Sequence, residues 1–360
     1  MAELNHSHVV PQLSADGPIH VLVAGVPYSY SRPFPDGTWL TGQHREAIKA
    51  VSPRINLMHM SRDELAAGAE PAFPPEVILT ETTGTATEWD DSEWLRYLVR
   101  GRDIQRLQGP NLRWLQSCSH GIEKVAPILA PHVTMVRAVD IHSAGLAESV
   151  LAAMLLHSKR LLRRVENQRA HRWDMIEYGE LHGKTAVVLG AGSLGNGFAK
   201  LARAFGMRVV GVRRNPEPHP LYDEMHGGGI EDLLPRADFL IAALPKTPET
   251  VDLVTAKQLA LLPPHAFVVN IGRGEVLNEA DLAAALRDGT IAGAYLDVFV
   301  QEPLGEDSEL WDAPNLLITP HDAHFSASVG DRNVDLLCEN LRHYLAGEPL
   351  RGVPDFEAGY

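Results

Sequence analysis

Four short stretches of this chain combine residue types that do chemistry together. "GAGSLG" holds Gly190, Gly192 and Gly195 in G-x-G-x-x-G spacing, "NIGRGE" holds Arg273, "LDVFVQEPL" holds Asp297 and Glu302, and "ITPHDAHF" holds His321 and His324. The glycine spacing follows an apolar run and opens a helical one. Its first glycine permits a tight turn, its second lets backbone approach a pyrophosphate at a helix N-terminus, and its third lets helix pack close to strand. An arginine, a carboxylate and a histidine, each just after a strand beside such a turn, are what reduction of a 2-keto acid needs. The arginine grips the substrate carboxylate and the histidine gives a proton to the carbonyl oxygen. The carboxylate orients the imidazole and favours its charged form.

The strand after the glycine turn selects the cofactor. An acid at its end would accept from a ribose 2′-hydroxyl, but the chain reads "VRRN" there, with Arg213 and Arg214. Two guanidiniums match a phosphate dianion and offer no acceptor, so NADP(H) is expected over NAD(H). His321, Asp322 and His324 are all metal-ligand types, yet no other His/Cys cluster of suitable spacing accompanies them. No metal is expected.

These residues need a scaffold of strands ending on one edge. Apolar runs at 19–24, 54–60, 76–80, 111–117 and 132–138 alternate with helical stretches such as "GQHREAIKAV" and "WLRYLVRGRDIQRL". A second series has strands expected at 184–190, "MRVVGVRR", 237–245, 266–272, 291–299 and 315–320, with helices such as "NEADLAAALRDG" between them. That alternation predicts parallel βα units in an α/β fold. One long helix is expected from about Ala147 to Arg169 and one amphipathic helix near the C-terminus. Residues 26–37 and 82–94 read as long loops, the second holding Trp89 and Trp94.

Composition narrows the class. At 360 residues two domains are expected, and a net charge of −14 argues against nucleic-acid or anionic-membrane partners. Only Cys118 and Cys338 are present, which excludes a disulfide framework and fits a reducing, cytoplasmic setting. The first residues lack a basic start followed by an apolar core, so no signal peptide is expected. The most apolar long stretch carries Glu148, His157 and Lys159 and is too polar to span a bilayer.

From about Leu112 to Leu350 the chain closely resembles the D-isomer-specific 2-hydroxyacid dehydrogenases. The resemblance rests on "NLRWLQSCSHGIEKV", the glycine turn, "LPKTPET", "NIGRGEVLNEADLAAAL", "LDVFVQEPL", "LWDAPNLLITPH" and "LAGEPL". It implies two Rossmann-like, doubly wound parallel-sheet domains, with the substrate domain split by an inserted cofactor domain. The expected boundaries are a tail at 1–18, a flavodoxin-like substrate domain at 19–143 plus 325–360, and a dinucleotide-binding domain at 144–324. It implies Arg273, Glu302 and His321 as the catalytic set, and Ser119, His120 and Gly121 beside the substrate carboxylate with Arg273. The implied cofactor contacts are Gly190, Gly192, Ser193, Leu194, Gly195, Arg213, Arg214, Leu244, Pro245, Thr250, Ile271, Gly272, Arg273, Asp297 and His321. Asp297 is expected near the nicotinamide carboxamide and Thr250 near the cofactor phosphates.

The implied reaction is NADPH-dependent reduction of a small 2-keto acid to the D-2-hydroxy acid, with glyoxylate/hydroxypyruvate-type substrates favoured and a homodimer implied. Glu302 argues against the formate dehydrogenases, which resemble this pattern but lack that acid. The corepressor scaffolds of the C-terminal-binding-protein type share the fold and are the alternative; the complete Arg–Glu–His set disfavours them. Position 324 departs from the resemblance, which leads one to expect glycine or another small residue there. A bulky His324 either narrows the substrate pocket or packs the loop.

Overall fold

Strand runs buried on both faces form only where helices cover both sides of a sheet. A computed structural model of the chain describes residues 11, 17–25, 40–80, 99, 101–119, 121–122, 125–326 and 328–354. Its chain divides into two units, Met1–Ile141 with Phe325–Tyr360, and His142–His324.

In the first unit, β1 (Ile19–Ala24), β2 (Ile55–Met60), β3 (Val77–Thr80), β4 (Trp114–Ser117) and β5 (Thr134–Val136) form a parallel sheet in the order β2-β1-β3-β4-β5. This is the flavodoxin-like order. Alternation along β1 splits the core: Val21 and Val23 face one cluster, Leu22 and Ala24 the other. The helices α1 (Gly42–Val51), α2 (Arg62–Ala66) and α3 (Gly101–Leu107) come from the N-terminal segment. The C-terminal α9 (Val329–Ala346) joins the Val21 side through Val334, Leu337, Leu341 and Tyr344. Its buried Asn340 donates to Gln116 Oε1 (3.4 Å) and to the Arg351 carbonyl (3.1 Å), so its polar groups are satisfied inside the core.

The second unit holds a seven-stranded sheet in the order β12-β11-β10-β9-β6-β7-β8, with every strand pairing parallel. Its strands are β6 (Thr185–Leu189), β7 (Arg208–Val212), β8 (Glu224–His226), β9 (Phe239–Ala242), β10 (Phe267–Asn270), β11 (Gly293–Leu296) and β12 (Leu316–Ile318). The helices α4 (Ser143–Ser158) and α6 (Ser193–Ala204) pack on one face, and α8 (Glu279–Arg287) on the other; the short α7 (Ala256–Leu259) precedes β10. After β6 the chain builds β7 and β8 outward, then returns to place β9 on the other side of β6. Doubly wound sheets bind ligands at such a reversal, beyond the carboxyl ends of the strands. The two parallel α/β sheets are the architecture expected.

Two local expectations are corrected. The single helix from Ala147 to Arg169 is two helices, α4 and α5 (Leu161–Arg169), broken where Arg160 takes a left-handed backbone with φ 49°. Neither glycine nor proline marks the break. What changes is the surroundings: α4 buries one face from Leu146 to Met154, whereas α5 shows Leu161, Leu162 and Val165 to solvent. The edge strand β8 was not expected because "EMH" has no apolar run.

Candidate active site

The glycine turn is pinned to the strand beside it. Gly190 and Ala191 both donate to the Val212 carbonyl, at 3.0 and 3.1 Å, which brings the turn against the end of β7. Gly190 has φ 102°, and a Cβ there would come within 2.5 Å of the Ala243 carbonyl oxygen. A Cβ on Gly195 would collide with the Gly190 carbonyl and touch Val188, so the helix can lie this close to β6 only with glycine. Gly192 differs, since nothing lies within 4 Å of where its Cβ would be. It caps α6 without a side-chain bond, and Ser193 and Leu194 form the first turn. A tight turn, an open glycine and a helix start whose N-cap carries no side chain fit a dinucleotide pyrophosphate.

Arg213 and Arg214 follow β7 and are exposed; the Arg213 N–H donates to the His226 carbonyl at 3.0 Å. Three further arginines on this edge pair with acids. Arg236 bonds Glu224 at 2.5 Å, Arg208 also bonds Glu224, and Arg203 bonds Asp223 at 2.9 Å. Arg236, then His226 and Arg208, hold the Glu224 carboxyl far below the usual carboxylate range.

The carboxyl ends of the strands step across the sheet through single hydrogen bonds. Ala243 donates to Leu189 (2.8 Å), Ile271 to Ala242 (3.0 Å), Asp297 to Asn270 (3.1 Å) and Thr319 to Leu296 (3.0 Å). Each candidate side chain stands just past one of these steps. Leu244 packs over Gly190, and Thr250 donates to the Pro245 carbonyl at 2.7 Å and accepts from Thr247 N–H at 2.8 Å. The Thr250 hydroxyl thus holds its own loop together.

Arg273 sits between two glycines that cannot be anything larger. A Cβ on Gly272 would meet the Leu244 backbone, and one on Gly274 would fall on the Phe299 carbonyl and Val300 nitrogen. The buried Asn270 staples the turn, accepting from Gly272 N–H (3.1 Å) and donating to the Arg273 carbonyl (2.9 Å). Arg273 Nη1 donates to the Gly272 carbonyl at 2.8 Å.

His321 and Glu302 are brought together directly, with Nδ1 2.7 Å from Glu302 Oε2, while Glu302 Oε1 accepts from Phe299 N–H at 3.0 Å. Burial pushes the Glu302 carboxyl up, but His321, the Phe299 N–H and the Arg273 charge outweigh it and leave it below its ordinary value. The Arg273 charge also acts on Glu275, which Lys246 bonds at 2.6 Å. Charges therefore alternate from Lys246 through Glu275 and Arg273 to Glu302. The histidine has φ 55°, a left-handed backbone that costs about 1–3 kcal/mol outside glycine and collects at functional sites.

Asp297 holds that backbone in place. It is 1% exposed, and its Oδ1 accepts from Thr319 Oγ1 (2.5 Å) and from the N–H groups of Asp322 and Ala323 (3.1 Å each). Burial raises its carboxyl pKa against these donors and the His321 charge. Thr319 is held in turn by Tyr295, 2.9 Å away. His324 packs edge-on against His142 (4.8 Å between ring centres) and His321 (5.8 Å). Burial first, then His142 and His321, lower its pKa to about 2, so it is a neutral imidazole.

In the first unit, Ser119 donates its N–H to Ser117 Oγ at 3.1 Å and accepts from Ala138 N–H at 3.0 Å; Gly121 is partly buried. His120, Trp89, Trp94 and the loops 26–37 and 82–94 lie outside the described residues. No group of three metal-ligand side chains occurs among the described residues. The residues that sequence reasoning missed are Asn270, Thr319 and Tyr295. Asn270 had a signal, a polar side chain ending an otherwise apolar run.

Residues 151–323 match the family model of the D-isomer specific 2-hydroxyacid dehydrogenase, NAD binding domain. The chain is 36% identical over 252 residues to glyoxylate/hydroxypyruvate reductase B of Pectobacterium carotovorum subsp. carotovorum (strain PC1), covering 66% of this chain and 78% of that one. This chain belongs to the D-isomer specific 2-hydroxyacid dehydrogenase family. As a family member it is an NAD(P)-dependent enzyme of 2-hydroxy and 2-keto acids, similar to the glyoxylate/hydroxypyruvate reductase branch. Solved 2-hydroxyacid dehydrogenase structures share its fold along nearly their whole length. One from Aeromonas salmonicida subsp. salmonicida A449 has a TM-score of 0.74 and 27% identity, covering 94% of this chain and 99% of that one. The NADPH-dependent glyoxylate/hydroxypyruvate reductase from Sinorhizobium meliloti, in complex with NADP and sulfate, has a TM-score of 0.72 and 25% identity. It covers 95% of this chain and 100% of that one.

Proposed function

We propose that this dehydrogenase reduces a small 2-keto acid of the glyoxylate/hydroxypyruvate type to the D-2-hydroxy acid, with NADPH preferred over NADH. The observation that carries the reading is the Glu302–His321 pair at 2.7 Å beside the Arg273 charge. A bound nicotinamide supplies the hydride for C2 of the substrate. Because Glu302 stays a carboxylate, it accepts from Nδ1 of His321 and leaves Nε2 as the atom that gives its proton to the carbonyl oxygen. Arg273 binds the substrate carboxylate and offers fixed positive charge where the alkoxide forms, a term that often dominates such barriers. In oxidation the same Nε2 takes the proton back.

The Gly190–Gly195 turn would hold the pyrophosphate, Leu244, Pro245, Thr250, Ile271 and Gly272 would flank the cofactor, and Asp297 would meet the carboxamide. Arg213 and Arg214 would pair with the 2′-phosphate, both being exposed just past the end of β7, the strand beside the glycine turn. Gly121 would give its backbone N–H to the substrate carboxylate, beside Ser119, whose own N–H is held by Ser117 Oγ. A second copy of the chain would cover the segment after α5, where Trp173 is 98% and Met175 96% exposed, making a homodimer. Two free, buried cysteines fit a cytoplasmic setting, and no helix among the described residues is long and apolar enough to cross a membrane.

The test is initial-rate assay of purified protein with glyoxylate, hydroxypyruvate and phenylpyruvate, each with NADPH and NADH. Turnover of the first two with NADPH favoured is expected. Tight NADPH binding without turnover across the panel would overturn the reading and support the scaffold alternative.

A further inference from the structure

The Glu302 carboxylate is only as well aimed as the loop that carries it, and that loop, 299–302, lies outside the sheet. Two carboxylates grip its consecutive N–H groups. Glu302 Oε1 accepts from Phe299 N–H at 3.0 Å, and Glu279 Oε1 accepts from Val300 N–H at 2.7 Å. Glu279 is the first residue of α8, whose N-cap Asn278 accepts from Asp281 N–H. The helix start is thus capped without Glu279, and its carboxylate is turned to the neighbouring loop instead. On the other side Gly274 lies so close to Phe299 and Val300 that no Cβ fits. The loop is clamped between the turn that carries Arg273 and the start of the helix that follows it.

We propose that Glu279 is a positioning residue for the Glu302–His321 pair, holding loop 299–302 at Val300 so that Glu302 can reach Nδ1 of His321. This rests on the keto-acid reduction proposed above. Burial raises the Glu279 carboxyl, and the charges of Glu275 and Glu302 raise it further, so a like charge is kept beside Glu302 for the sake of the hydrogen bond. The groups facing Glu302 are His321 from the turn after β12, Arg273 from the turn after β10 and Glu279 from α8. Those facing Glu279 are Glu275 and Glu302.

Charge and anchorage give opposite signatures. Glu279→Gln keeps an oxygen for Val300 N–H and removes only the like charge. It should keep kcat within about threefold and move the acid limb of the reduction profile to lower pH, because Glu302 then ionises more easily. Glu279→Ala releases the loop and loosens the Phe299 and His321 bonds that hold Glu302 ionised. It should lower kcat by roughly tenfold or more, with a smaller change in keto-acid KM, and move the acid limb to higher pH, because the loosened bonds outweigh the like charge removed with them. A merely structural role would move thermal stability without splitting the two pH limbs. Limbs that shift together, or kcat and profile unchanged in Glu279→Ala, overturn the proposal. If Glu279→Ala is recovered unfolded, the downward limb of Glu279→Gln decides. The same two shifts can be read from the Glu302 carboxyl carbon resonance without turnover. A chain inactive on every keto acid would then remove the proposed reaction while the loop is still tested.

Discussion

His324 makes acid stability measurable at one side chain. In the folded chain its imidazole is held at about 2, by burial first and then by His142 and His321. In the unfolded chain it titrates near ~6.5. The sign follows from proton counting. Near neutral pH neither state binds a proton at this site, so it contributes no pH dependence. As pH falls below ~6.5 the unfolded chain takes up a proton that the folded chain refuses, so stability falls until the folded group itself titrates. By about pH 5 the difference reaches at most roughly 2 kcal/mol, and screening through its remaining exposure brings it nearer 1.

The perturbation is His324→Phe, which keeps an aromatic ring between His142 and His321 but cannot bind a proton. Whatever contact the substitution loses is lost equally at each pH, so the slope carries the signal. Urea unfolding of both proteins, followed by tryptophan fluorescence at about pH 7 and about pH 5, gives the double difference. The native chain should lose roughly 1–2 kcal/mol more than the variant between the two conditions. Parallel losses, or a steeper loss in His324→Phe, would refute the assignment of a buried neutral imidazole. The other histidines are common to both proteins and cancel.

The remaining expectations concern the reaction, its cofactor and assembly. His321→Gln should lower keto-acid reduction by at least about a hundredfold with little change in thermal midpoint, and activity within a few-fold of the native chain would remove His321 as proton donor. The double variant Arg213→Ala/Arg214→Ala should raise the NADPH KM by roughly tenfold or more and leave the NADH KM nearly unchanged. Equal effects on both cofactors would count against a 2′-phosphate contact. Trp173→Glu should convert a dimer to a monomer in sedimentation velocity; a monomeric native chain, or an unaffected dimer, would refute the proposed interface.

The strand series was legible because parallel strands covered on both faces must be continuous apolar runs. "KTAVVLG" and "AFVVNIG" contain β6 and β10, and the predicted windows exceed the observed strands only by loop residues at the ends. The helix break at Arg160 was not legible, since a left-handed arginine leaves no composition mark and the apolar pattern runs on through it. Nor were the staples at the site. Tyr295 and Thr319 are 24 residues apart, and Asp297 binds backbone 25 and 26 residues downstream, so only the folded sheet makes them neighbours. Periodicity reports which face a residue takes. It does not report which distant N–H group that residue will meet.

Several of the places where local rules fail are also places where the candidate chemistry collects. Gly190 and His321 take left-handed backbone, and Gly272 and Gly274 admit no Cβ; each lies within four residues of a strand end. There the ladder stops and backbone groups become available, so the chain can turn sharply only if other groups hold it. Asn270 satisfies two backbone groups around Arg273, and one Asp297 oxygen takes three donors around His321. A buried carboxylate with that many donors is explained by the turn alone, before any ligand is considered. Asp297 therefore earns its place first by fixing an unfavourable histidine backbone, and any contact it makes with cofactor rests on a geometry it has already secured.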